Sequence, residues 1–209
     1  MTKTNNKTSL EQIKKFFDNN DWKPLPFQIE SWEAYLNGEN GIIQVPTGCG
    51  KTYAALMGPL SKLNDCRKKS GLNILLITPL KALSRDLKNA INTAAKYFDE
   101  KITVGIRNGD TSPYEKKKQI LNPPNILITT PESLSLLLSN KESKNIFKNL
   151  FSIIIDEWHE LMGSKRGNQC ELCLSWLRGN KKDLQIWAMS ATIGNIEEAG
   201  RAIIGIKAN

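Results

Sequence analysis

Histidine is almost missing from this 209-residue chain, which holds one, His159, beside four cysteines. With so few soft ligands no Cys/His zinc set can be completed around Cys170-x-x-Cys173. The same pair falls with Leu174 and Leu177 at i, i+3, i+4 and i+7, the apolar stripe of a helix ending near Gly179-Asn180, so these thiols are expected in the core. No apolar run approaches the ~18 residues that crossing a bilayer takes, and no membrane partner is expected. The polar start, Met1 to Lys7, lacks the apolar centre of a secretory leader. A disulfide-stapled secreted miniprotein is thereby excluded, and a cytoplasmic location is the expectation. Internal repeats and low-complexity linkers are absent too, which leaves an N-terminal helical segment, 1–20, leading into one large domain over 21–209.

What is present begins with charge. Twenty-nine Lys and Arg against 21 Asp and Glu give a net +8 and a pI of about 9.3. A surplus of this kind suits a polyanionic partner, because each cation laid on a phosphate releases condensed counterions. Hydrophobic residues at 40% and charged residues at 24% are ordinary for a globular protein.

Six short β-branched runs alternate with helical patterns: Ile42-Val45, Ile74-Thr78, Ile102-Ile106, Ile126-Thr129, Ser152-Asp156 and Gln185-Met189. Alternation of this sort predicts an α/β domain on a mostly parallel sheet, and apolar runs without a two-residue period predict helices on both faces. Ahead of the first strand, Ser9-Leu10-Glu11-Gln12 reads as a capping box opening a helix through about Asp18. A second helix is expected from Phe27 to Asn37, before Gly38.

The first strand runs straight into Pro46-Thr47-Gly48-Cys49-Gly50-Lys51-Thr52 and then into a helical run from Tyr53. A strand, a glycine loop and a helix in that order make a phosphate cradle. Thr47, Gly48, Cys49 and Gly50 can curl so that successive amides point inward, beside the positive end of the helix. Lys51 can then reach the β- and γ-phosphates of ATP and the Thr52 hydroxyl can ligate Mg²⁺. Val45 stands where the general pattern has its first glycine.

Asp156-Glu157-Trp158-His159 follows the apolar strand Ile153-Ile154-Ile155. In a parallel sheet all strand C-termini share one edge, so Asp156 can enter the same crevice as the phosphate loop. Asp156 would hold Mg²⁺, chiefly through water, and Glu157 would orient and deprotonate the attacking water. Two junctions, Thr78-Pro79-Leu80-Lys81 and Thr130-Pro131-Glu132-Ser133, repeat one design: strand, N-cap threonine, proline at the first helical position. Each aims free helix N–H groups out of the same edge, where a sugar-phosphate backbone can lie without its bases being read. Lys81, Arg85, Arg107 and Thr130 are the candidate backbone contacts, and Lys116-Lys117-Lys118 is either added charge or a solvated face.

These strings resemble the first motor lobe of superfamily 2 helicases. Asp156-Glu157-Trp158-His159 is similar to the DExH form of motif II, Ser190-Ala191-Thr192 to motif III, and the two Thr-Pro junctions to motifs Ia and Ib. The missing loop glycine at Val45 also suits that family. Gly109-Asp110-Thr111, the string through Gly167 and Ser190-Ala191-Thr192-Ile193-Gly194-Asn195 look like Lhr-type and DNA-ligase-associated members. The resemblance covers about Trp22 to Asn195. It implies a RecA-like P-loop NTPase lobe in which His159, Ser190 and Thr192 couple hydrolysis to the nucleic-acid face. It implies that Gln28 reads the adenine edge, that Pro79, Gly109, Asp110, Pro131 and Glu132 join the track, and that DNA is the track. It also implies a second RecA-like lobe carrying an arginine finger, in a longer or partner chain, and a repair partner such as a ligase or nuclease. Lys165-Arg166 could approach the strand or form a plain exposed turn. Two rival readings stay open: a phosphotransferase acting on a small acceptor, and an ATP-dependent nucleic-acid clamp without turnover. An RNA helicase lobe is the nearer alternative to a DNA one.

Overall fold

Every residue of the runs 74–77, 126–129, 152–155 and 185–190 is buried, so these strands need cover on both sides. The structure, a computed structural model, describes residues 3–65, 70–80, 84–181, 183–192 and 194–204. Two helices, α1 (Lys3–Asp18) and α2 (Pro26–Leu36), precede β1 (Gly41–Gln44), which leads through the glycine loop into α3 (Lys51–Asp65). Then come β2 (Ile74–Ile77), α4 (Ser84–Phe98), β3 (Val104–Arg107), α5 (Pro113–Leu121) and β4 (Ile126–Thr129). After α6 (Pro131–Leu138) and the single turn α7 (Ser143–Ile146), β5 (Ser152–Ile155) enters the sheet centre. The short α8 (Trp158–Leu161), α9 (Lys165–Asn180), β6 (Gln185–Ser190) and α10 (Ile196–Ile204) complete the described chain.

All pairings are parallel and the strand order is β1-β6-β5-β2-β4-β3, with β1 and β3 at the edges. Side chains alternate across the pleat. Ile74, Leu76, Ile126, Ile128 and Ile154 enter a core with Ile13, Phe16, Phe17, Trp32 and Leu60 from α1, α2 and α3. Leu75, Ile77, Leu127, Ile153 and Ile155 enter the opposite core with Leu134, Trp158, Leu174 and Ile203 from α6, α8, α9 and α10. Cys170 and Cys173 sit in this second core, where burial pushes their thiols up to about 12 and about 11. The doubly covered α/β sheet expected from the sequence is thus the one observed. Among the described residues no helix is long and apolar enough to cross a membrane.

Two boundaries differ from expectation. The helix expected to open at Ser9 already begins at Lys3. Ser9 is no cap: it is buried within α1 and its hydroxyl donates to Asp65 Oδ2 over 3.1 Å. Tertiary docking of α1 on the end of α3 thus overrides the local capping signal. The third strand starts at Val104, not Ile102, because Ile102 N is spent in a turn to Asp99 O and Thr103 is held by Asn125. Asparagines close the rim where strands begin. Asn125 Oδ1 accepts from Thr103 N, its Nδ2 donates to Asn73 Oδ1, and Asn40 Oδ1 accepts from Ile186 N. Backbone groups that have no ladder partner there are satisfied by short amide side chains.

Candidate nucleotide and nucleic-acid site

At the opposite rim the ladder runs past the strand ends. Val45 N donates to Ser190 O, Thr78 N to Thr129 O and Asp156 N to Ile77 O. The glycine loop is therefore tied to the Ser190 turn, and the Thr78, Thr130 and Asp156 segments to one another, by backbone before their side chains meet. In the glycine loop Gly48 and Gly50 have φ of +83° and +80°, a left-handed region that β-carbons resist, which is why glycine stands at both positions. A β-carbon at Gly50 would lie 2.7 Å from Gln28 Nε2. Lys51 opens α3, is only 7% exposed, and donates from Nζ to Val45 O over 3.1 Å. The same ammonium lies 3.7 Å from Glu157 Oε1. The loop after β1 and the acid pair after β5 therefore converge, although β6 separates their strands.

Glu157 turns with φ +43° and ψ +50°, a conformation that costs a non-glycine residue about 1–2 kcal/mol. That turn folds its carboxylate back toward Lys51 instead of continuing the strand direction. Its Oε2 is buried and has no hydrogen-bond partner among the described residues, with His159 Nδ1 at 3.4 Å. Ser190 lies 3.1 Å from the same Nδ1 and donates its own proton to Thr192 O. Ser190 thus bridges His159 Nδ1 and Thr192 O, and His159 stands between Ser190 and the Glu157 carboxylate.

Asp156 is 9% exposed and accepts from Thr78 Oγ1 at 3.4 Å. Burial, together with the neighbouring Glu157 charge, pushes its carboxyl up to about 6, against the smaller pull of the Glu157 N–H, Lys51 and Thr78. Between the ordinary value of 3.8 and about 6 the folded state keeps a proton that the unfolded chain releases. Stability from this group therefore falls as pH rises through that window, to a cost of about 3 kcal/mol at neutral pH. Asp156→Asn should raise the melting temperature by on the order of 5 °C at about pH 7, with the gain vanishing by about pH 4. Thermal melts at the two pH values check this, and equal shifts at both would contradict it.

Gln28 is 3% exposed, its Oε1 accepting from Leu25 N and its Nε2 donating to Gly50 O. Among the described residues one amide proton and one lone pair stay uncommitted. The structure thus puts Gln28 behind the phosphate loop as a brace. Thr47, Cys49 and Thr52 lie in or directly after that loop, partly or wholly exposed.

The track candidates divide. Pro79, Arg107, Gly109, Lys116, Thr130, Glu132, Ser133, Leu136 and Arg166 line one open depression of about 590 Å³ at the same rim. Thr130 caps α6 by accepting from Ser133 N, with Pro131 in the first helical position. Arg107 is committed inward: it is 8% exposed and Nη1 donates to Lys116 O and Gln119 Oε1. Asp110 belongs to a loop tied to itself, its N–H donating to Asn108 Oδ1. Arg85 is exposed on the first turn of α4, and Lys81 lies outside the described residues. Lys165 and Arg166 are not a free turn but the start of α9, capped by Ser164. Sequence reasoning did not find the Thr78 to Asp156 bond, whose partners are 78 positions apart, and no local pattern signals it.

Comparison with known proteins agrees with this geometry. The family model for DEAD/DEAH box helicase matches residues 25–199. The Lhr helicase/probable uracil glycosylase of Mycolicibacterium smegmatis is 34% identical over 195 residues, which are 87% of this chain and 13% of that protein. The ATP-dependent helicase Lhr-Core of Sulfolobus acidocaldarius is 38% identical over 182 residues, 80% of this chain and 20% of the relative. The chain thus spans no more than a fifth of the length of these two relatives. The structure of Mycobacterium smegmatis helicase Lhr bound to ssDNA and AMP-PNP superposes with a TM-score of 0.84 at 33% identity, covering 91% of this chain and 26% of that one. With the matched model spanning the phosphate loop, the acid pair and the Ser-Ala-Thr turn alike, the chain belongs to the DEAD/DEAH box helicase family.

Proposed function

We propose that this chain is the ATP-hydrolysing motor lobe of a DNA helicase. The observation that carries the reading is the convergence of Lys51 and Glu157 to 3.7 Å, with Asp156 beside them on the strand-end rim. Lys51 meets the β- and γ-phosphates, and Gly48 to Gly50 supply amides to them. The residues fit a magnesium-bound triphosphate. Thr52 and Asp156 are hard oxygen donors, and the unpartnered buried Glu157 Oε2 marks a place for a polar occupant such as the attacking water. Bound Mg²⁺ would neutralise charge developing on the phosphates. Glu157 takes the proton from water, and His159 and Ser190 hold Glu157 in register with the Thr192 turn. Gln28 holds Gly50, and its spare amide groups would face the adenine edge.

Single-stranded DNA lies across the Thr130 junction and the depression beside it, gripped by its backbone. The Lhr relative solved with ssDNA supports that track. A second RecA-like lobe supplies the arginine that stabilises the transition state, worth roughly 10³–10⁵ in rate. Repair of DNA, alongside a ligase or nuclease, is the setting this reading favours. The test is phosphate release from ATP by this chain, and by any longer natural form, with and without single-stranded DNA. DNA-stimulated release that disappears in Lys51→Ala is the expected result. Release of equal size in Lys51→Ala, or phosphate passed to a small acceptor, would refute the motor.

A further inference from the structure

Arg166, at the start of α9, reaches both Thr-Pro junctions along the strand-end rim. Its Nη2 donates to Pro79 O over 2.8 Å and lies 3.4 Å from Glu132 Oε2, while Nε donates to Glu132 Oε1. One guanidinium thus spans both Thr-Pro junctions: the carbonyl of the first and the carboxylate of the second. Burial alone would push the Glu132 carboxyl up. The Arg166 hydrogen bonds, with others from its own backbone and Thr130, bring it below the ordinary carboxylate value.

The arginine is itself rigidly placed. Ser164 Oγ donates to Leu161 O at 2.7 Å and accepts from Gly167 N at 3.1 Å, which pins the first turn of α9 to the end of α8. α8 in turn begins at Trp158, directly after Glu157, and Trp158 and Leu161 are fully buried. From the water-activating carboxylate to the Arg166 backbone there is therefore a short, packed path.

We propose that Arg166 and Glu132 are positioning residues: a clasp that sets the spacing of the two Thr-Pro junctions, so that both line the track of one sugar-phosphate backbone. This rests on the motor reading above. It assigns Glu132 no contact with DNA. An acid in the groove would repel phosphate, and its pairing with Arg166 offsets that charge. A fixed fork of donors is needed because the two acceptors lie in different directions, which an ammonium cannot match with the same geometry.

The rival role for Arg166 is a direct phosphate contact, and the two roles predict opposite signs for Glu132→Gln. Binding of fluorescent oligo(dT) to the 209-residue chain, with Mg-AMP-PNP and across a salt titration, separates them. For a clasp, Arg166→Gln and Glu132→Gln each weaken binding about tenfold. Arg166→Lys fails to restore it, and the double variant is no weaker than either single one. The slope of affinity against salt stays that of the wild type, since no phosphate contact has been lost. Melting temperature barely moves, because the pair is 40% and 46% exposed. Tighter binding by Glu132→Gln, near-normal binding by Arg166→Lys, or a slope shallower by about one in Arg166→Gln would each overturn the clasp. So would single variants that bind like the wild type. A wild-type chain that ignores oligo(dT) would instead sink the motor reading itself.

Discussion

Glu157→Gln should lower ATP turnover by about 10²–10⁴-fold while nucleotide affinity stays within a few-fold of wild type. The substitution is isosteric and leaves the left-handed turn at Glu157 intact, but an amide cannot accept a proton from water. Lys51 loses a partner at 3.7 Å yet keeps its hydrogen bond to Val45 O, so the phosphate cradle is preserved. His159 keeps Ser190 as well, so the coupling chain stays closed at that end. Phosphate release at saturating single-stranded DNA, paired with a nucleotide-binding isotherm, checks both halves. Turnover within tenfold of wild type would mean that another group activates the water.

Gly167→Ala should cost roughly 2–3 kcal/mol, even though alanine is the better helix former by about 1 kcal/mol. A β-carbon there would sit 2.0 Å from Leu161 O and 2.8 Å from its carbonyl carbon, and both are backbone atoms of a buried turn. No rotamer relieves that approach, so α9 must move away from α8. For a domain of this size the melting temperature should fall by roughly 5–10 °C. Urea unfolding with an unchanged slope would show a pure stability loss. A neutral result would show that the turn from Leu161 to Gly167 can reorganise freely, and would remove the rigid base beneath Arg166.

Gly167 also illustrates what could be read from the chain and what could not. The phosphate loop and the acid pair were legible because each is written in adjacent residues, between an apolar strand and a helix start. Parallel strands then force both onto one rim, so their meeting needed only the fold class. Gln28 was legible as a neighbour of the loop, but its bonds to Leu25 and Gly50 come from packing that no window of sequence contains. Arg107 was a candidate nucleic-acid backbone contact, whereas its partners lie on α5, nine and twelve residues on. Burial there pulls the guanidinium below its ordinary value. Arg166 was legible only as a charge between glycines, since its acceptors are 34 and 87 positions away. Ser9 shows the opposite failure, a complete local signal outvoted by a contact with Asp65.

The asparagine-closed rim has a consequence for experiment. Asn40, Asn73 and Asn125 consume donors and acceptors where strands enter, whereas the far rim holds the glycine loop and, among the described residues, a buried carboxylate oxygen without a hydrogen-bond partner. Nucleotide or DNA arriving at the far rim should slow deuterium uptake there and leave the asparagine side unchanged. One protein would then carry its own internal standard for footprinting.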